Sequence, residues 1–178
     1  MRDSTLLHDL ISRSAERRAA NPAVTSGKIT LNYGELQEAT TRFSNGLLAL
    51  GLQRGERVAI YLDKRFETVI SSFGAPAAGG VFVPLNPLLK AEQVGYILRD
   101  CNVRVLVTSP ERLALLQDTL PDCHDLRHVV VVDAAELPAS IGALNIHRWA
   151  DLLEQPSRQG HRLIDSDILG ILYTSGST

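Results

Sequence analysis

Four short runs, residues 58–62, 81–83, 103–107 and 129–132, apolar at every position except Arg104, constrain this chain more than any other feature. A strand with one face in water alternates polar and apolar residues. A strand that is apolar throughout is covered on both faces, as in parallel sheets with helices on either side. Helical periodicity fills the gaps between the runs. Leu36, Phe43 and Leu47 mark a buried face over 35–50, and Val69, Ile70, Phe73 and Ala77 mark one over 66–78. Residues 90–100 and 111–120 also read as helices, and 149–153 as a short one. Strand–helix–strand repeated in this way predicts an α/β fold, a mainly parallel sheet flanked by helices and joined by right-handed crossovers. A last apolar run, 168–173, predicts a further buried strand.

The start of the chain reads differently. Leu6, Leu7, Leu10, Ile11 and Ala15 recur at helical spacing, with Ser4 or Thr5 as a possible cap, and the helix stops near Asn21-Pro22. Residues 23–25 and 29–31 flank Ser26-Gly27-Lys28 and predict a small hairpin. Tyr33, Glu35 and Leu36 shape the start of the next helix, Glu35 favouring its dipole, and Gly51 suits its left-handed stop. Ala78-Gly79-Gly80 should end a helix and let the following strand pack closely, while Pro84 and Pro87 stiffen the turn after it.

Bulk properties exclude several functions. The 178 residues are 44% hydrophobic and 21% charged, which suits one globular domain or part of a larger one. Formal net charge is -2, the isoelectric point is about 6.2, and no basic run exceeds Arg17-Arg18, so no nucleic-acid surface is expected. Aromatic residues, at 5%, are too few for a base-stacking platform. Cys101, before an apolar run, and Cys123, in a polar loop, read as free thiols of a cytoplasmic protein. The first twenty residues are too polar for a signal peptide, and every apolar run is too short for a transmembrane segment. There is no internal repeat.

In an open parallel sheet, ligands sit beyond the carboxyl ends of the strands. The run 168–173 leads straight into Thr174, Ser175, Gly176, Ser177 and Thr178. Hydroxyls, a glycine and free backbone N–H groups just after a strand can wrap an anion, although the pattern lacks the glycine-lysine pair of the P-loop. Cys123-His124 with His128 has a metal-like spacing but supplies too few ligands, so a solvated loop and no metal are expected. Asp165 and Asp167 read as a polar turn rather than as an acid–base pair. Arg13, Glu16, Arg17 and Arg18 form the wet face of the first helix.

The wider string Asp165-Ser-Asp-Ile-Leu-Gly-Ile-Leu-Tyr-Thr-Ser-Gly-Ser-Thr178 closely resembles the signature of the adenylate-forming, or AMP-dependent synthetase/ligase, superfamily. That superfamily includes acyl-CoA synthetases, luciferases and peptide-synthetase adenylation domains. Ile29-Thr-Leu-Asn-Tyr-Gly-Glu-Leu36 is similar to its early element. Ala77-Ala-Gly-Gly-Val-Phe-Val-Pro-Leu-Asn-Pro87, with Tyr96-Ile-Leu-Arg-Asp100 and residues 103–108, is similar to its second core element. The resemblance implies that residues 1–178 are the N-terminal portion of the large domain, ending inside the phosphate loop, with the C-terminal domain absent. It implies that Thr174, Ser175, Gly176, Ser177 and Thr178 contact the phosphates of ATP. No catalytic residue falls within the chain, since the loop lysine and the other catalytic groups lie downstream, and the 178 residues alone should be inactive.

The activity so implied is activation of a carboxylic acid by ATP, with Mg2+, to an acyl adenylate, then transfer to a thiol, most often that of coenzyme A. Peptide-synthetase domains usually carry an aspartate after the proline-leucine pair and a tyrosine-proline soon after. Pro84-Leu85-Asn86-Pro87-Leu88-Leu89-Lys90 departs from that pattern, which favours an acyl-CoA ligase over an amino-acid adenylation domain. Residues 83–109 also resemble acyl-CoA ligases linked to exosortase loci. From another class, a non-catalytic α/β interaction module remains open.

Overall fold

The computed structural model describes residues 6–137 and 141–174. The first helix, α1 (Asp9–Arg18), leads into a two-stranded antiparallel hairpin, β1 (Pro22–Ser26) and β2 (Ile29–Asn32). Gly27, at φ 60°, makes its turn. The expected cap at Ser4 or Thr5, both outside the described residues, is corrected: α1 starts later, with His8 at its N-cap and no side-chain cap bond. Then come α2 (Tyr33–Ala49), β3 (Arg57–Tyr61), α3 (Phe66–Ala77), β4 (Val81–Pro84), α4 (Ala91–Asp100), β5 (Val103–Thr108) and α5 (Pro110–Leu116). After a 3₁₀ turn (Leu120–Asp122), β6 (His128–Val131), β7 (Asn145–Arg148) and α6 (Trp149–Leu153) follow. The sheet has the order β4-β3-β5-β6-β7, and every neighbouring pair is parallel.

Strand side chains alternate between two cores. Ala59, Tyr61, Val103, Leu106, Val129 and Val131 face α4 and α5, where they meet Val94, Ile97, Leu98, Leu113 and Leu116. Val58, Ile60, Val105, Val107, Val130 and Val132 face the other way, toward Phe43, Leu47, Ile70, Trp149 and Leu152 of α2, α3 and α6. This is why the runs are almost wholly apolar: both pleat directions lead into a core, and the exception, Arg104 on β5, pairs with Glu56 and Asp125.

The helix ends follow local chemistry. Asn32 caps α2, accepting from the Glu35 N–H at 2.9 Å while its own N–H donates to the Glu35 carboxylate at 2.8 Å. Gly51 (φ 82°) and Gly79 (φ 86°) end α2 and α3 in matching left-handed stops. Leu52 N–H donates to Leu47 O, and Gly80 N–H to Ala75 O. Gly80 then packs closely as expected: a Cβ there would lie 2.9 Å from Leu52 Cδ2 and 3.2 Å from Glu56 O.

Four further expectations need correction. Residues 168–173 are not a buried strand. They touch β4 through one parallel bridge, Gly170 beside Phe82, and Ile168 and Leu172 are 69% and 70% exposed. The run lies outside the edge strand, where no described element covers its outer side. The helix expected over 111–120 stops at Leu116: Pro121 has no N–H to bond Gln117 O and its ring would crowd that carbonyl, and the chain resumes as a 3₁₀ turn over Leu120–Asp122. Strand β7, with the sequence Asn-Ile-His-Arg, was not expected; it is a short, half-polar edge strand without a strong period. Cys123 is buried rather than in a polar loop, as is Cys101.

Candidate functional site

The carboxyl ends of β3, β4 and β5 form one rim. Leu85, the residue after β4, donates its N–H to Ile60 O at 2.9 Å, which starts the β4–α4 turn, residues 85–90, in a fixed place. Two side chains hold the rest of that turn. Tyr61 sends its hydroxyl to Leu89 O at 2.7 Å. Arg112, on α5, donates to Pro87 O at 2.6 Å and to the Asp63 carboxylate at 2.7 Å, with its guanidinium 4.7 Å from the Tyr61 ring centroid. Thr108, fully buried at the end of β5, donates to Tyr61 O at 3.2 Å. Arg65, before α3, bridges Glu67 and Asp133 at 2.6 Å each and so ties the ends of β3 and β6 together.

Beside the turn lies an open cleft of about 750 Å³. Leu85, Asn86, Leu89, Gln93 and Tyr96 form its walls, and Tyr173 and Thr174 close one side. Its lining includes one carboxylate, Glu92, and no lysine or arginine. The Tyr173 hydroxyl donates to the Asp100 carboxylate and stands 3.2 Å from Cys101 Sγ. Burial first, then these two partners, pushes the phenol above its ordinary pKa, so it stays protonated.

Upstream, Asp167 accepts from the Ile164 N–H at 3.1 Å and forms a bidentate pair with Arg54. These bonds hold its carboxyl below the usual range, the Arg54 hydrogen bond foremost. Asp165 and Asp167 therefore belong to a polar turn, as expected.

Of the expected phosphate-binding residues, Thr174 is exposed on the cleft rim. Ser175, Gly176, Ser177 and Thr178 lie outside the described residues. Thr174 thus sets an exposed hydroxyl, a group able to donate to an anion, on the rim of a cleft whose described lining supplies one carboxylate and no cationic side chain. No group of three or more His, Cys, Asp or Glu side chains that could hold a metal occurs among the described residues. His124 is exposed, whereas His128 faces His147 across β6 and β7, so the Cys123-His124-His128 set does not converge. No described helix is long and apolar enough to cross a membrane.

Sequence reasoning did not single out Arg112, Tyr61 or Asp63. Their roles come from tertiary meeting, since Asp63 and Arg112 are 49 residues apart. The Ser109-Pro110 helix start was the available signal, because it places Arg112 in the first turn after β5.

Comparison with known proteins gives this geometry a lineage. The AMP-binding enzyme family matches residues 11–178. The 4-hydroxybenzoate–CoA/benzoate–CoA ligase of Rhodopseudomonas palustris is 32% identical over the whole chain, which spans 32% of that protein. Tyrocidine synthase 3 of Brevibacillus parabrevis is 30% identical over 97% of the chain, which spans 2% of that protein. The crystal structure of the anthranilate CoA ligase AuaEII with anthranoyl-AMP superposes with a TM-score of 0.86 at 28% identity, over 96% of this chain and 32% of that one. The chain thus spans a third or less of the length of these relatives. With the parallel sheet, the strand-end cleft and Thr174 at its rim, the match places the chain in the AMP-binding enzyme family of adenylate-forming ligases.

Proposed function

We propose that this chain is part of an AMP-forming acid–thiol ligase that joins a carboxylic acid to AMP and passes the acyl group to a thiol, most often that of coenzyme A. In the first step a carboxylate oxygen attacks the α-phosphate of ATP, the bond to the bridging oxygen breaks, and pyrophosphate leaves. In the second step the thiol takes the acyl group and AMP leaves. Mg2+ would offset the phosphate charge. The observation that carries the reading is Thr174 at the carboxyl end of a parallel sheet in a chain of this family. Thr174, Ser175, Gly176, Ser177 and Thr178 are the proposed phosphate loop, within an N-terminal portion of the AMP-binding domain. Glycine at 176 lets backbone N–H groups approach the phosphate, and the hydroxyls add donors.

Pro84-Leu85-Asn86-Pro87, lacking the aspartate of peptide synthetases, favours coenzyme A as acceptor, as does the likeness to two CoA ligases. The similar identity to tyrocidine synthase 3 supports a second reading, an amino-acid adenylation domain. The test is ATP–pyrophosphate exchange by the full-length protein with Mg2+ and a panel of fatty, aryl and amino acids. Exchange with fatty or aryl acids is expected. Exchange with amino acids alone selects the second reading, and none with any acid refutes both.

A further inference from the structure

We propose that Tyr173, Asp100 and Cys101 form a clamp that positions Thr174, making Tyr173 and Asp100 positioning residues for ATP; the inference rests on the ATP-dependent reading above. The chain reaches this point along β4, where Phe82 N–H donates to Leu169 O at 3.2 Å and Ile171 N–H to Phe82 O at 3.0 Å. That ladder ends at Ile171. Among the described residues no backbone hydrogen bond holds 172–174, and Leu172 is largely exposed. The remaining polar anchor of the segment is the Tyr173 hydroxyl, which donates to the Asp100 carboxylate and lies 3.2 Å from Cys101 Sγ.

The other side of the clamp is rigid. Cys101 is buried at the end of α4, its N–H bonded to Ile97 O at 3.0 Å and its carbonyl accepting from Arg57 at the start of β3. Asp100 is the last residue of α4, the end at which the helix dipole disfavours a carboxylate. A negative charge there is a poor choice for the helix and a good one for an acceptor of the tyrosine O–H. Burial and the Asp100 carboxylate both keep the phenol protonated, hence a donor, at neutral pH. Fixing Tyr173 fixes the direction in which Thr174 leaves, and ordering that residue beforehand removes part of the entropy otherwise lost when it grips a phosphate.

The test compares full-length wild type with Tyr173→Phe, Asp100→Ala, Asp100→Asn and the Tyr173→Phe/Asp100→Ala double variant. KM for ATP in pyrophosphate exchange should rise about tenfold in Tyr173→Phe and Asp100→Ala, the scale of one lost hydrogen bond to a charged acceptor. KM for the acid should not change. Asp100→Asn, which keeps an acceptor oxygen, should recover most of the loss, and the double variant should be no worse than either single one. Hydrogen exchange of the Ile171 amide, the last one bonded to β4, should be faster in Tyr173→Phe. Equal rises in both KM values, or independent effects in the double variant, overturn the positioning role. Unchanged exchange of the Ile171 amide overturns the clamp itself, and that measurement decides even if wild type proves inactive and the ligase reading fails.

Discussion

Arg112→Ala should destabilise the chain by about 3 kcal/mol, through the β4–α4 turn rather than through the core. The arginine side chain is 15% exposed and makes three contacts. Its hydrogen bond to Pro87 O, at 2.6 Å from a charged donor, is worth roughly 1.5–3 kcal/mol. The stacking over Tyr61 adds roughly 0.5–2 kcal/mol, since the ring is almost fully buried. The pair with Asp63 adds at most about 1 kcal/mol, because that carboxylate is 74% exposed and screened. Arg112→Lys keeps the charge but not the planar fork, and should lose about 1–2 kcal/mol. In urea, with a slope of roughly 2 kcal/mol/M, Arg112→Ala should lower the midpoint by about 1.5 M without changing the slope. A cycle with Tyr61→Leu isolates the stacking contribution. A midpoint shift below about 0.3 M, or a lysine variant equal to wild type, would refute the claim that this guanidinium holds the turn.

Gly46→Ala should destabilise although alanine is the better helix former. The added Cβ would lie 2.6 Å from Leu152 O, a backbone atom of α6. Overpacking of about 1–3 kcal/mol outweighs the helix gain of about 0.5–1 kcal/mol, and a raised thermal midpoint would show that α6 yields freely. His128 and His147, half-buried and 3.1 Å apart, set an acid dependence. Burial lowers both, with His147 and Arg127 adding to the effect on His128, while Glu56 and Leu50 O act against it there and Asp151 acts against it at His147. As pH falls below the ordinary imidazole value of about 6.5, the unfolded chain takes up protons that the native pair refuses. Stability therefore declines from there toward the lowered native values and levels off below them. Thermal midpoints at stepped pH check this, and a wild-type slope matched by the His128→Gln/His147→Gln variant would exclude the pair as its source.

What the sequence made legible is set by the range of the interactions involved. Residues 58–62 and 129–132 announce themselves because burial on both faces demands apolar side chains at every position, and each position carries that demand alone. Asn32 with Glu35, and Gly51 with Leu52, are equally local: partner and cause lie within five residues. Residues 168–173 carry the same apolar signal and yet lie exposed, because the signal reports what a residue would bury and not whether a neighbour is there to bury it. The site divides the same way. Thr174 stands out through composition and order along the chain, whereas the residues that set its surroundings do not. Asp100 is 73 residues from Tyr173, and Arg112 is 25 from Pro87, so neither pairing leaves a period or a spacing to read. Asp100 does leave one trace, a carboxylate at the end of a helix that electrostatics disfavours. A residue that contradicts its local preference is evidence of a distant partner, and in this chain that partner is the tyrosine next to Thr174.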